Sequence, residues 1–289
     1  METDILTATD SVQLNARAAI AGAMAQAFTD PRRRRSRLTC EQGTLLRAAW
    51  ELIATIESDG TGKDVALGDL PIAKADIEPV IQWLTTPPAA AEDAYVTVYG
   101  LTMPRNCPPY ETEYLHWTDA TYRSQQMADI AAFYRAFGLD IGASRHDRHD
   151  HVALEIEFVA FLLRKLALYM ESDKREDSTH EQVCVAALES FLHDHLLWWA
   201  PTFARSLEGE ADKAAQARTD DSRLVIGAMA GTTRALRAWL TAERRWAGVE
   251  PSGRIIAPMV EPPHADDEGE LCGECDHQAC APSVFAANA

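Results

Sequence analysis

The sequence predicts an all-α protein, a single helical bundle with a proline-rich crossover and a flexible acidic C-terminal tail. Three observations carry that prediction. Apolar residues recur three and four positions apart over most of residues 1–250. Strand-like alternation is almost absent, and no repeat at a solenoid period is visible. Proline and loop-forming residues crowd one middle stretch instead of punctuating many short elements. Residues 1–250 read as one helical domain and residues 251–289 as the tail.

The first helix is expected from about Ser11 to Phe28, with Ser11 as N-cap, Leu14, Ala18, Ala21 and Met24 on one face, and Pro31 as the stop. A second pattern rests on Leu45, Leu46, Ala49, Leu52 and Ile53. A third covers roughly Pro71 to Leu84, with Ile77, Val80, Ile81 and Leu84, and "TTPPAA" closes it. Between Asp93 and Trp117, Tyr95 to Tyr99 carry strand-favouring residues, but Gly100, Pro104, Pro108 and Pro109 break the run. That section reads as an ordered loop bearing aromatics.

Helix resumes near Thr121 and runs to Phe137, with Gly138 as its C-terminal cap. From Val152, the residues Ile156, Val159, Leu163, Leu166 and Met170 form a stripe, and Leu154, Phe158, Phe161 and Leu162 fill much of the rest. A helix apolar on most sides is surrounded by others, so this one is expected at the centre. Another spans about Gln182 to Trp199 and ends at Pro201. The stretch "EGEADKAAQARTDD" fits a loop or an exposed helix. The last helix runs from about Arg223 to Trp246.

Of 289 residues, 44 are acidic and 27 basic, a net charge of −17 that disfavours nucleic acid and anionic membranes. "METDILTATDS" has no cationic segment followed by an apolar one, and the run Phe158–Met170 is interrupted by Arg164 and Lys165. Neither a secretory signal nor a membrane span is expected, and the predicted location is cytoplasmic. The four arginines Arg32 to Arg35 read as a solvated interhelix turn paired with acidic neighbours. No glycine-rich nucleotide loop occurs.

Several groups offer chemistry. Asp147, His151 and Glu155 stand four apart, a row that suits zinc or iron in residue type but supplies few ligands and no nucleophile. Glu155 lies within an apolar helix, where a carboxylate needs a partner or a polar cavity; a structural ion pair and a role in shaping a pocket both fit. In "FLHDHLLWWAP", His193 and His195 point about 200 degrees apart on a helix, and His195 reads as a hydrogen-bonding core residue. After Arg254 the chain has no lysine or arginine. Its tail carries Cys272, Cys275, His277 and Cys280, four ligands for zinc or part of an iron–sulfur cluster.

Four segments, "PYETEY" (109–114), "ADIAAFYRAFGLD" (128–140), "DHVALEIEF" (150–158) and "FLHDHLLWWAPTF" (191–203), together resemble the TorD/DmsD/NarJ-like chaperones that mature molybdenum enzymes. The position before Asp150, usually proline in that family, is His149. The resemblance implies an all-α, non-enzymatic protein needing no cofactor of its own. It implies binding to the catalytic subunit of a molybdopterin-dependent oxidoreductase, or to that subunit's twin-arginine leader, until the cofactor is inserted. Asp150 and His151 would stand at the hinge beside the leader groove. An apolar, arginine-bearing leader calls for carboxylates beside aromatics, and Tyr99, Tyr110, Glu111, Trp117, Asp150, His151 and Glu155 are the candidate set. The alternative class is a metal-binding redox regulator that uses Cys272, Cys275 and Cys280. Monomer and dimer both remain open.

Overall fold

The computed structural model describes residues 10–34, 36–59, 69–100, 106–115, 120–139, 148–171 and 178–252. All of them fall in one unit, Met1–Pro258. The fold is all-α, with helices α1 (Ser11–Ala27), α2 (Cys40–Asp59), α3 (Glu78–Thr85), α4 (Pro88–Tyr99), α5 (Ala120–Ala136), α6 (Val152–Glu171), α7 (Ser178–Phe191), α8 (Leu197–Gln216) and α9 (Ser222–Ala247). Among the described residues Tyr110 and His151 form an isolated β-bridge. The Cys272–Cys280 cluster, Trp117 and Asp147 lie outside the described residues, and so does the tail from residue 253 onward.

The helix ends follow from local chemistry. Asp10, not Ser11, caps α1: its carboxylate accepts from the Gln13 amide at 2.7 Å, leaving Ser11 as the first helical residue. Gly138 and Gly248 end α5 and α9 with φ of 72° and 63°, a left-handed turn that side chains disfavour. The pattern expected over Pro71–Leu84 is interrupted. Ile72–Lys74 form one 3₁₀ turn, and α3 starts at Glu78 because Pro79 has no amide to extend the helix backward. Asp76 caps that start, accepting from the Glu78 amide at 2.9 Å.

Two expectations are corrected. Residues Tyr95–Tyr99 are not a loop but the last turns of α4. Pro87 and Pro88 open this helix instead of merely closing the previous one, since proline at the first helical position loses nothing. The Tyr95 and Tyr99 rings stack across one turn at 4.4 Å, which offsets the poor helix preference of Val96, Thr97 and Val98. Nor does Pro201 end a helix. Residues Leu192–Leu196 form a π-helical turn that runs directly into α8, and Pro201 sits inside α8. A π turn shifts the register of backbone bonds, so the missing proline amide falls at a joint that is already irregular. Consequently "EGEADKAAQ" is helical, to Gln216.

As expected, α6 is central: it packs along α1 and against α7, and its residues Val152–Ile156 are all buried. A second central helix, α9, packs along α8 and also against α3 and α4. Its buried face sets Ala228, Ala230, Gly231, Ala235, Ala238 and Ala242 among larger residues such as Leu236 and Trp239. Such small residues admit close approach: a Cβ on Gly231 would lie 2.4 Å from the Pro79 Cβ. Trp83, Trp199 and Trp239 are fully buried among these helices, each removing a large apolar surface from water.

The arginine run is only partly the solvated turn expected. Arg32 does pair with Asp30, at 2.6 Å. Arg34 instead lies over the Trp83 ring at 4.6 Å and donates to the Ala27 and Trp83 carbonyls. It satisfies helix-end acceptors, and burial pulls its pKa down to about 10.

Candidate functional site

The crossover segment 106–115 is tied to the start of α6 by backbone. The Glu111 amide donates to the Asp150 carbonyl and the Val152 amide to the Pro109 carbonyl, both at 2.9 Å. A 3₁₀ turn, Glu111–Tyr114, follows and points its side chains at α5, α6 and the π turn. His151 caps α6, its Nδ1 accepting from the Ala153 amide at 3.1 Å, and its ring meets the Tyr110 ring edge-on at 5.2 Å. That nitrogen is therefore spent on the helix start, which removes it from the metal row considered with Asp147 and Glu155.

On the outer side of this junction, a guanidinium is held by two carboxylates, a hydroxyl and an aromatic face. Asp150 is fully buried; its Oδ1 accepts from Arg148 Nε at 3.0 Å and its Oδ2 from Arg148 Nη2 at 2.7 Å. The Thr112 amide and hydroxyl donate to the same Oδ2 at 3.1 and 2.8 Å. Glu113 accepts from Arg148 Nη1 at 2.9 Å, and the guanidinium carbon lies 4.4 Å from the centre of the Tyr110 ring. Burial opposes the charge on Arg148, but its hydrogen bonds to Asp150 lead the interactions that outweigh burial and hold its pKa above the ordinary value. Planar bidentate pairing plus ring stacking is arginine-specific recognition, which lysine cannot reproduce.

On the inner side, Glu111 is fully buried and collects donors from three elements. Its Oε1 accepts from Gln126 Nε2 of α5 at 2.8 Å and from Trp198 Nε1 of α8 at 2.7 Å. Its Oε2 lies 3.2 Å from His195 Nδ1 in the π turn. His195 is buried and hydrogen-bonded, as its sequence context implied, while His193 is exposed. The other His195 nitrogen is 3.5 Å from the partly exposed Asp129 carboxylate, too long for a strong hydrogen bond. The neighbouring Glu155 is also fully buried. One oxygen accepts from Trp199 Nε1 at 3.1 Å, and the other has no hydrogen-bond partner among the described residues. Burial, with the Glu111 and Asp150 charges beside it, pushes its pKa far above the usual carboxylate range. Burial thus favours the protonated form of Glu155, which is held by the Trp199 indole and not by a cation.

The structure thus brings together Tyr110, Glu111, Asp150, His151 and Glu155 out of the candidate set. Tyr99 is buried elsewhere, at the end of α4, where burial raises its pKa and Tyr95, Cys107 and Tyr114 are its electrostatic neighbours. Sequence reasoning missed Thr112, Glu113, Gln126, Arg148 and Trp198. Thr112, Glu113 and Trp198 stood inside the motifs themselves, and Arg148 stood two residues before one. Gln126 and Trp198 each give one donor from a helix whose apolar pattern carried no hint of it. Among the described residues no group of three or more histidine, cysteine or acidic side chains could hold a metal ion, and Cys40, Cys107 and Cys184 are free.

This whole arrangement falls within residues 72–205, and those residues match the family model described as nitrate reductase delta subunit. Across that segment the chain resembles this family. The family comprises NarJ/TorD-like chaperones of molybdoenzyme maturation, and its members are not catalysts. Neither a curated protein nor a solved structure matches the chain. The family segment contains the crossover, α5, α6, the π turn and the start of α8, but neither α1, α2 nor α9. Among the described residues no helix is long and apolar enough to cross a membrane.

Proposed function

We propose that the chain is a cytoplasmic maturation chaperone that holds the apo catalytic subunit of a molybdopterin-dependent oxidoreductase through its twin-arginine leader until the cofactor is in place. One observation carries this reading: the chain's own Arg148 lies in a receptacle of Asp150, Glu113, Thr112 and Tyr110, with 33% of its side chain exposed. A surface that satisfies one guanidinium on both forks and one face suits another arriving from a partner.

In this reading the incoming arginine exchanges with Arg148 instead of entering an empty pocket. Tyr110, the one member of the candidate set that is described and not fully buried, touches the leader. Asp150 and Glu113 take its charge. Glu111, His151 and Glu155 position the crossover behind them.

The direct test is a pull-down of the tagged chain from its native host, grown anaerobically, followed by mass spectrometry. A molybdopterin-enzyme catalytic subunit in stoichiometric amount, leader uncleaved, is the expected catch; its absence overturns the proposal. The substitution Glu113→Gln removes one of the two receptacle carboxylates from a partly exposed position, so it leaves the fold intact. It is expected to lower retention of that subunit severalfold.

A further inference from the structure

A second concave site lies on α8 and α9 and has no part in the arrangement above. It is a cleft of about 310 Å³ lined by Pro201, Thr202, Arg205 and Ser206 of α8, and by Arg237, Thr241 and Arg244 of α9, with Leu197, Leu240 and Asp69 completing it. The spacing explains the convergence. Leu197, Pro201 and Arg205 stand four apart on one helix face, and Arg237, Thr241 and Arg244 stand four and three apart on the other. Three guanidiniums converge on this cleft, on a chain whose net charge is −17, and only Arg205 among them has no carboxylate partner among the described residues.

The three arginines are not equivalent. Arg237 is fixed by Glu208 at 2.8 Å, and Arg244 by Asp69 at 2.5 Å and Glu250 at 3.0 Å. Those carboxylates hold two planar forks in place, which lowers the ordering cost of binding. Arg205 is exposed and makes no hydrogen bond or ion pair with any described residue. It is a cation without a carboxylate at the edge of a cleft that already holds two others. The hydroxyls of Thr202, Ser206 and Thr241 line the same space, while Leu197, Pro201 and Leu240 give it an apolar side. The Thr241 hydroxyl donates to the Arg237 carbonyl, so three guanidiniums and the two hydroxyls of Thr202 and Ser206 face the cleft; these exceed what the two oxygens of a carboxylate accept, and they match the terminal oxygens of a phosphate. The apolar side and the volume suit a small organic body attached to it.

We infer that the α8–α9 cleft binds the phosphate group of a small organic phosphate ester, with Arg205 supplying the charge that the ligand satisfies. The inference does not depend on leader binding, since none of these residues belongs to the Arg148 receptacle.

The test is isothermal titration calorimetry on the full chain at constant ionic strength, with phenyl phosphate, inorganic phosphate and phenol as probes. Phenyl phosphate is expected to saturate a single site and to bind more tightly than inorganic phosphate, and phenol is expected to give no saturable heat. In Arg205→Gln, which breaks no internal contact, affinity for phenyl phosphate should fall at least tenfold with an unchanged unfolding curve. Wild-type affinity in that variant would place the ligand elsewhere and overturn the inference. So would phenol binding as tightly as phenyl phosphate, or no saturable binding by either phosphate. Equal affinity for the two phosphates would refute the organic body and leave a bare anion site.

Discussion

The molecule buries charge in two places and treats it in opposite ways. Within the matched segment, Glu111, Glu155 and His195 meet at the junction of crossover, α6 and π turn, where two fully buried carboxyls face the Gln126 amide, the His195 ring and the Trp198 and Trp199 indoles. Outside that segment, Arg17 of α1 is fully buried between Glu243 of α9 at 2.9 Å and Glu57 of α2 at 3.2 Å, and stacks on Trp246 at 4.5 Å. The second cluster is a compensated ion pair that clamps three helices. The first is a set of buried acids hydrogen-bonded to neutral side chains behind a partly exposed arginine. Clamps need only be stable, whereas a recognition surface needs groups whose charge and partners can change.

Breaking the clamp should have the largest effect. Arg17→Met leaves Glu243 buried without its cation, and removing one partner of a buried pair costs about 3–5 kcal/mol. Burial already outweighs Arg17 in setting Glu243 above the usual carboxyl range, so part of the loss is recovered at low pH, where Glu243 is protonated. Urea unfolding at neutral pH measures the loss, and Arg17→Met combined with Glu243→Met should return most of it. A single variant indistinguishable from wild type would show that the pair is not a clamp.

A medium effect is expected where the two regions meet. Gly231 of α9 packs on Pro79 at the start of α3, and an added Cβ would sit 2.4 Å from the proline ring carbon. Neither backbone can yield freely, since both are helical and close-packed. Overpacking of this kind costs about 1–3 kcal/mol, which offsets the gain in helix preference from Gly231→Ala of about 1 kcal/mol. A lowered melting temperature is the expected result; a raised one would mean that α3 can shift on α9 and that the junction is loose.

Much of this was legible before any coordinates. The 3.6-residue periodicity of Val152–Met170 marked α6 as central, and Asp150, His151, Glu111 and Glu155 stood in motifs whose order implied that they meet. What failed did so for local reasons. The Pro87–Pro88 pair reads as a stop from the left and as a start from the right, and only the start is compatible with the Tyr95–Tyr99 stack. Pro201 obeys the rule against proline in helices except where a π turn precedes it. The centrality of α9 was hidden because alanine and glycine bury without adding hydrophobic signal. Arg148 was hidden because sequence shows which charges exist, not which of them a neighbouring carboxylate has already taken.

The smallest effect should come from Glu155→Gln, and its sign sharpens the contrast with the clamp. Glu155 has a folded-state pKa raised by burial and by the Glu111 and Asp150 charges. The folded state therefore holds this proton more tightly than the unfolded chain does. Its contribution is fully present below the unfolded carboxyl pKa, about 4.3, and is lost as pH rises toward the folded value. Glutamine keeps an acceptor for Trp199 Nε1 and cannot ionise. The variant should match wild type near pH 4 and become progressively more stable relative to it as pH rises, the reverse of removing a salt-bridged acid. Unfolding curves for both proteins across that range read the difference. A variant less stable than wild type at neutral pH would mean that Glu155 works as a carboxylate, and the inner cluster would then be a second clamp.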